Sequence, residues 1–401
     1  MQTPISAVQT VPGKQRPEVA EVFRRYFVAY QDKHRLSLEQ HRVARHIQQC
    51  RTAALGGHVE TCDSCPHTRI AYNSCRDRHC PKCQAMAKEQ WLSARQAELL
   101  PCGYFHLVFT LPHQLNPLVL HNRKLCLGLI FAAANQTLQR FAADPQWRLN
   151  GQLGCIGVLH TWSQTLIDHF HLHCLIPAGA LSRDGQRWVR ARKNYLFRLS
   201  SLAVCFRNRY LSRLQAMYDQ NKLLVPEGWD QKQFKEVLAK TGSTKWLVYA
   251  KSPFAGPNQV LGYLARYTHR VAIANHRLQS LGNDQVSFSY KDRKNGNVSR
   301  SMTINAEEFI RRFLLHVLPR GFTKIRYFGF LAHTRKKFAI ARIRRIIDPL
   351  MEPPAKAIKE SIQETMLRVT GVDIAVCPVC GKGKMVVMAR LSMLPLRPDT
   401  S

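Results

Sequence analysis

Apolar positions along the chain change their period several times, and each change predicts an element. Between Glu18 and Cys50, Val22, Phe23, Tyr26 and Phe27, then Leu38, Val43 and Ile47, recur at helical spacing, which predicts two helices with Ser37 capping the second. A further helix is expected over 89–100, ended by Pro101, and 104–110 reads as a buried strand stopped by Leu111-Pro112. Residues 118–141 read as a helix, while 154–162 and 169–177 are strand-like and lie close enough in sequence to form an antiparallel hairpin. Residues 195–221 look helical, 243–251 extended, and Gly256-Pro257 opens a helix with proline in its first turn. An alternating strand over 286–290, a helix over 306–316 and a basic helix from Arg335 to Asp348 complete the pattern. Hairpins mixed with helices indicate an α+β fold, not alternating βαβ units. The aperiodic stretch 1–16 predicts a flexible leader. Pro101 marks a boundary between a helical region, 17–100, and a larger domain, 101–348, and Glu352-Pro353-Pro354 opens a linker and tail within 349–401.

Charge changes this picture from a generic fold to one with a partner. The 401 residues carry 59 Lys and Arg against 26 Asp and Glu, a net +33, while 45% hydrophobic residues suffice for a real core. Such an excess repels itself in the compact state and argues against an ordinary small-molecule enzyme. A polyanion that neutralises it is the natural partner, nucleic acid first and an anionic membrane surface second. No apolar run approaches the ~18 residues that span a bilayer, and the opening residues lack the plan of a secretory signal, so no membrane and a cytoplasmic location are expected.

Thirteen cysteines in a chain of this kind point to metal ligands and buried thiols more than to disulfides. Chance would supply roughly 0.4 C-x-x-C pairs at this cysteine content. Three occur: Cys62/Cys65, Cys80/Cys83 and Cys377/Cys380. The form Cys62-x2-Cys65-x14-Cys80-x2-Cys83 is that of a structural Zn2+ site built from two knuckles, although His67, Cys75 and His79 inside the loop leave room for an exchanged ligand. Buried thiols without metal are the bland alternative. Cys377 and Cys380 form half a zinc ribbon with no second knuckle after them, either a remnant or a pair that needs ligands from elsewhere.

His169, His171 and His173 alternate, which places three imidazoles on one face of a strand. Three in alternation are expected by chance only about 0.03 times at this histidine content. Two neutral imidazoles from one strand can hold a divalent ion and leave positions for a phosphate oxygen. In the drawn hairpin His160 falls opposite His171 and becomes a candidate third ligand. Tyr263 and Tyr267 stand one turn apart in the helix expected after Pro257, with Arg266 and Arg270 beside them. On periodicity alone they read as a core stripe. Near a metal and a phosphodiester they read as nucleophiles, because a phenol with pKa near ~10 needs such polarisation to attack. Arg335-Lys336-Lys337 and the 342–345 run are the obvious electrostatic stripe for DNA, although most charge runs are only solvated faces.

Several blocks occur in one order: Cys50-Arg51-Thr52, Leu55-Gly56-Gly57-His58, residues 72–83, residues 105–112, residues 169–179, Tyr263-Leu264-Ala265-Arg266-Tyr267 and His316-Val317-Leu318-Pro319. In this order they resemble the rolling-circle transposases of the insertion sequence 91 family, in the two-tyrosine branch of the His-hydrophobe-His (HUH) endonucleases. The resemblance implies an amino-terminal helical zinc-binding domain followed by a nuclease core, an antiparallel sheet flanked by helices. It implies that His171 and His173 bind Mg2+ or Mn2+, with His169 outside the motif. It also implies that Tyr263 and Tyr267 attack single-stranded DNA, at transposon ends and target, to form 5′-phosphotyrosine links, and that the protein works at the nucleoid. A non-catalytic zinc-dependent DNA-binding protein, and a nuclease using water as nucleophile, are the alternatives.

Overall fold

A computed structural model describes residues 16–251, 259, 261–262, 271–292, 295–350 and 360–393. Helices α1 (Val19–Lys33) and α2 (Leu38–Gln49) form where the helical period predicts them. Ser37 starts the second through a capping box: its hydroxyl accepts from the Gln40 N–H, and the Gln40 side chain returns to the Ser37 N–H. A hairpin of β1 (Gly57–Cys62) and β2 (Thr68–Tyr72) follows, then α3 (Gln84–Gln96), β3 (Tyr104–Thr110), α4 (Asn116–His121) and α5 (Arg123–Ala143). The single helix expected over 118–141 is thus broken at Asn122, whose side chain bonds to Leu118 and Leu224 and so turns the chain. Next come β4 (Gly151–Gln152), β5 (Gly154–Trp162), β6 (Asp168–Pro177), β7 (Gly179–Ser182), β8 (Trp188–Arg190), α6 (Leu199–Asp219), α7 (Gln231–Ser243) and β9 (Val248–Lys251). After these come β10 (Leu278–Gly282), β11 (Gln285–Asp292), β12 (Val298–Asn305), α8 (Ala306–Leu314), β13 (Ile325–Gly329), α9 (Lys336–Ile347), α10 (Ile362–Thr370) and β14 (Met385–Leu391).

The fold is α+β. Its centre is an antiparallel five-stranded sheet in the order β13-β5-β6-β3-β9. Alternate residues of β3, β5 and β6, among them Leu107, Phe109, Leu159, Leu172 and Cys174, point to one face and join α5 and α6 in the largest core. A second core packs α1 and α2 against α8 and the sheet β10-β11-β12 through Phe23, Ile47, Phe288 and Phe313. The amino-terminal helices are therefore seated on a region more than two hundred residues later in the chain. A third sheet has the order β14-β1-β2, so the carboxy-terminal strand lies on the hairpin that follows α2. Among the described residues no helix is long and apolar enough to cross a membrane.

Candidate metal centres

The face of the central sheet opposite α5 and α6 carries imidazoles. In the register of β5 with β6, His160 lies opposite His171 and Val158 opposite His173, as the drawn hairpin requires. His160, His171 and His173 are all buried, and one ring nitrogen of each lies within 4.8 Å of the others. That spacing suits shared coordination of one divalent ion. The Nδ1–H of His171 donates to the carbonyl of His169 at 2.8 Å, which makes Nε2 the nitrogen with a lone pair. His106 on β3 reaches the same cluster: its Nε2 and the Nδ1 of His173 lie 2.8 Å apart in nearly coplanar rings. A proton shared there leaves His173 to present Nε2, the arrangement by which an outer partner orients a ligating histidine. Sequence reasoning misses His106, because the strand that pairs with 104–110 cannot be read from its pattern. Trp162 stacks on His160, and the Lys324 ammonium stands 4.9 Å from the Trp162 ring, so a cation flanks the cluster. His169 is half-buried beside His113 and His171.

The expected zinc site of Cys62, Cys65, Cys80 and Cys83 is corrected: those two pairs belong to different clusters. Cys80 and Cys83 group with Cys50 and Cys75, whereas Cys62 and Cys65 group with Cys377 and Cys380. The reason is the β1–β2 hairpin. Its six-residue strand spans about 17 Å, so Cys62 and Cys65 ride at the tip while Cys75, Cys80 and Cys83 remain near its base. In the first cluster the Sγ of Cys83 lies 3.5 Å from Cys50 and 3.6 Å from Cys75. Hydrogen bonding from Cys50, Cys75 and Cys80 pushes the Cys83 thiol far down, and hydrogen bonding with Cys50, above all, pushes Cys80 far up. Four sulfurs gathered within 4.8 Å of one another are the donor set that a tetrahedral Zn2+ takes. Cys50 stands in the sequence at the end of α2, but no C-x-x-C spacing advertises it.

His79 is excluded as a ligand by its hydrogen bonds. Its Nδ1–H donates to the buried Asp77 carboxylate at 2.9 Å, and its Nε2 accepts from the Leu318 N–H at 3.2 Å. Asp77 also receives the His79 backbone N–H and the His46 ring. These hydrogen bonds hold its carboxyl far below the usual range against the desolvation that opposes them. Arg78 donates to the carbonyls of Phe322 and Pro319. The loop that supplies Cys75, Cys80 and Cys83 is thereby docked on the segment leading into β13.

The basic stripe divides in two. Lys336 pairs with Glu98 at 2.5 Å, and buried Arg344 donates to the carbonyls of Ala97 and Leu99, so both tie α9 to the end of α3. Arg335 and Lys337 are exposed. Tyr263, Tyr267, Arg266 and Arg270 lie outside the described residues.

Two family models match the chain: residues 154–338 match one described as "Putative transposase", and residues 22–111 match one described as "Transposase zinc-binding domain". The class is thus a transposase, an enzyme acting on DNA, with a zinc-binding amino-terminal domain. A relative from Sinorhizobium fredii named "Putative transposase y4qJ" is 44% identical over 93% of this chain and 95% of its own length. The "Transposase for insertion sequence element IS801" of Pseudomonas savastanoi pv. phaseolicola is 28% identical over 87% of this chain and 83% of its own. The chain belongs to the insertion sequence 91 family of transposases. No solved structure matches it.

Proposed function

We propose that this transposase nicks and rejoins single-stranded DNA through covalent 5′-phosphotyrosine intermediates, the strand chemistry of rolling-circle transposition. The observation that carries the reading is the convergence of His160, His171 and His173 on one face of the sheet. They would hold a Mg2+ or Mn2+ ion, which when bound would polarise a phosphodiester oxygen. His106 would hold the His173 ring, and the carbonyl of His169 the His171 ring. Tyr263 and Tyr267 are the nucleophiles in this reading. A tyrosine Oη–P bond forms as the P–O3′ bond breaks, the phenol gives up its proton, and the leaving 3′ oxygen takes one up. The phosphodiester energy stays in the covalent link, so rejoining needs no nucleotide cofactor. Two nucleophiles let a second strand be cut while the first end is held. Arg266, Arg270, Arg335 and Lys337 would bind phosphates, whereas Lys336 is already engaged by Glu98.

The test is to incubate the purified protein with labelled single-stranded DNA from the ends of its element and Mg2+ or Mn2+, and look for a denaturant-resistant adduct. The adduct is expected to vanish with EDTA, in Tyr263→Phe/Tyr267→Phe and in His171→Ala/His173→Ala. Cleavage that survives the tyrosine double variant would assign the nucleophile to water, and tight binding without any adduct would assign a binding role alone.

A further inference from the structure

We infer that Cys62, Cys65, Cys377 and Cys380 form a second structural Zn2+ site, one whose ligands come from the two ends of the chain and which clasps the carboxy-terminal tail to the amino-terminal domain. The matched zinc-binding region, 22–111, holds only half of this ligand set. A tetrahedron of sulfurs around zinc at ~2.3 Å has edges of about 3.8 Å. Cys62 and Cys380 have their sulfurs 3.7 Å apart, as do Cys65 and Cys377, and all four lie within 4.8 Å of one another. That is far beyond a disulfide bond of ~2.05 Å and close to a tetrahedral edge.

Both halves have the backbone of a zinc knuckle. The Ser64 N–H points at the Cys62 sulfur at 3.4 Å and the Gly383 N–H at the Cys380 sulfur at 3.3 Å, donors that stabilise thiolates. The Gly381 N–H closes the second turn on the Cys377 carbonyl. The halves are also joined to each other: Asp63 donates its N–H to the Lys384 carbonyl, and its carboxylate accepts the Lys384 N–H. Gly383 permits this approach, because a Cβ there would stand 2.3 Å from the Cys62 sulfur.

The tail needs such a clasp. In β14, Val386, Val387 and Met388 are 47–68% exposed, so the strand gains little from burial where it pairs with β1. Metal binding can supply the missing stabilisation, since ligands that are far apart in the unfolded chain are brought together only in the fold.

The experiment counts zinc per chain by elemental mass spectrometry of the full-length protein and follows hydrogen exchange over 385–391. The wild type should hold two Zn2+ and Cys377→Ser/Cys380→Ser one, with exchange over 385–391 raised and that over α1 and α2 unchanged. Cys62→Ser/Cys65→Ser, altered at the other end of the chain, should give the same count and the same local exchange. One zinc in the wild type, or two retained in either double variant, would overturn the inference. So would a lost zinc that leaves the exchange of 385–391 unchanged.

Discussion

Burial sets the protonation state of His316. Desolvation pushes its imidazole down to about 3, and its ring is held between the Thr161 hydroxyl and the Leu166 carbonyl. The folded chain therefore keeps His316 neutral below pH 6.5, where the unfolded chain takes up a proton. Stability from this group is intact above about pH 6.5 and declines as pH falls from there toward 3. Urea midpoints measured between pH 7.5 and 5 should fall more steeply in the wild type than in His316→Gln. Gly329 is constrained differently. Its φ is +60°, and a Cβ would lie 1.6 Å from the Leu153 carbonyl oxygen. Gly329→Ala should cost at least about 2 kcal/mol, read from a denaturant midpoint, because left-handed strain and a backbone collision add.

Elements place ligands as well as core residues. Helix α2 begins at the Ser37 capping box and ends with Cys50, so its start determines where one thiolate of the first cluster falls. Ser37→Ala should lower stability by about 1 kcal/mol, measured by thermal unfolding, with zinc content unchanged because Ile47 and Val43 still anchor the helix. The β5–β6 hairpin shows the same coupling on the sheet. A slip of one residue would turn His171 and His173 into the α5 and α6 core and bring Leu172 to the other face, so the apolar residues enforce the alignment of the histidines.

Across the whole molecule, a net charge of +33 makes DNA binding strongly salt-dependent. Only part of that charge faces outward for a partner. Arg335→Ala/Lys337→Ala should weaken binding across DNA sequences and reduce the salt slope on single strands by about 0.7 for each phosphate that is no longer neutralised. Arg344→Ala should instead lower stability, because its guanidinium closes the carbonyls of Ala97 and Leu99. Titrating binding against salt, alongside unfolding curves, separates the two roles.

Local pattern is sufficient where the information is local. The strands 104–110 and 154–162, the cap at Ser37 and the face shared by His171 and His173 follow from period and turn chemistry, which neighbouring residues impose on each other. The pairing of His160 with His171 is also legible, because a short connection between two strands leaves few registers. What lies beyond reach involves long closures. Cys62 and Cys65 take partners more than three hundred residues away, His106 meets His173 through a strand pairing with no sequence signature, and Cys50 joins its cluster from the end of a helix. Spacing suggests one zinc site because it counts residues along the chain, whereas coordination depends on distance through space, and a hairpin of two short strands is enough to divide the cysteines between two clusters.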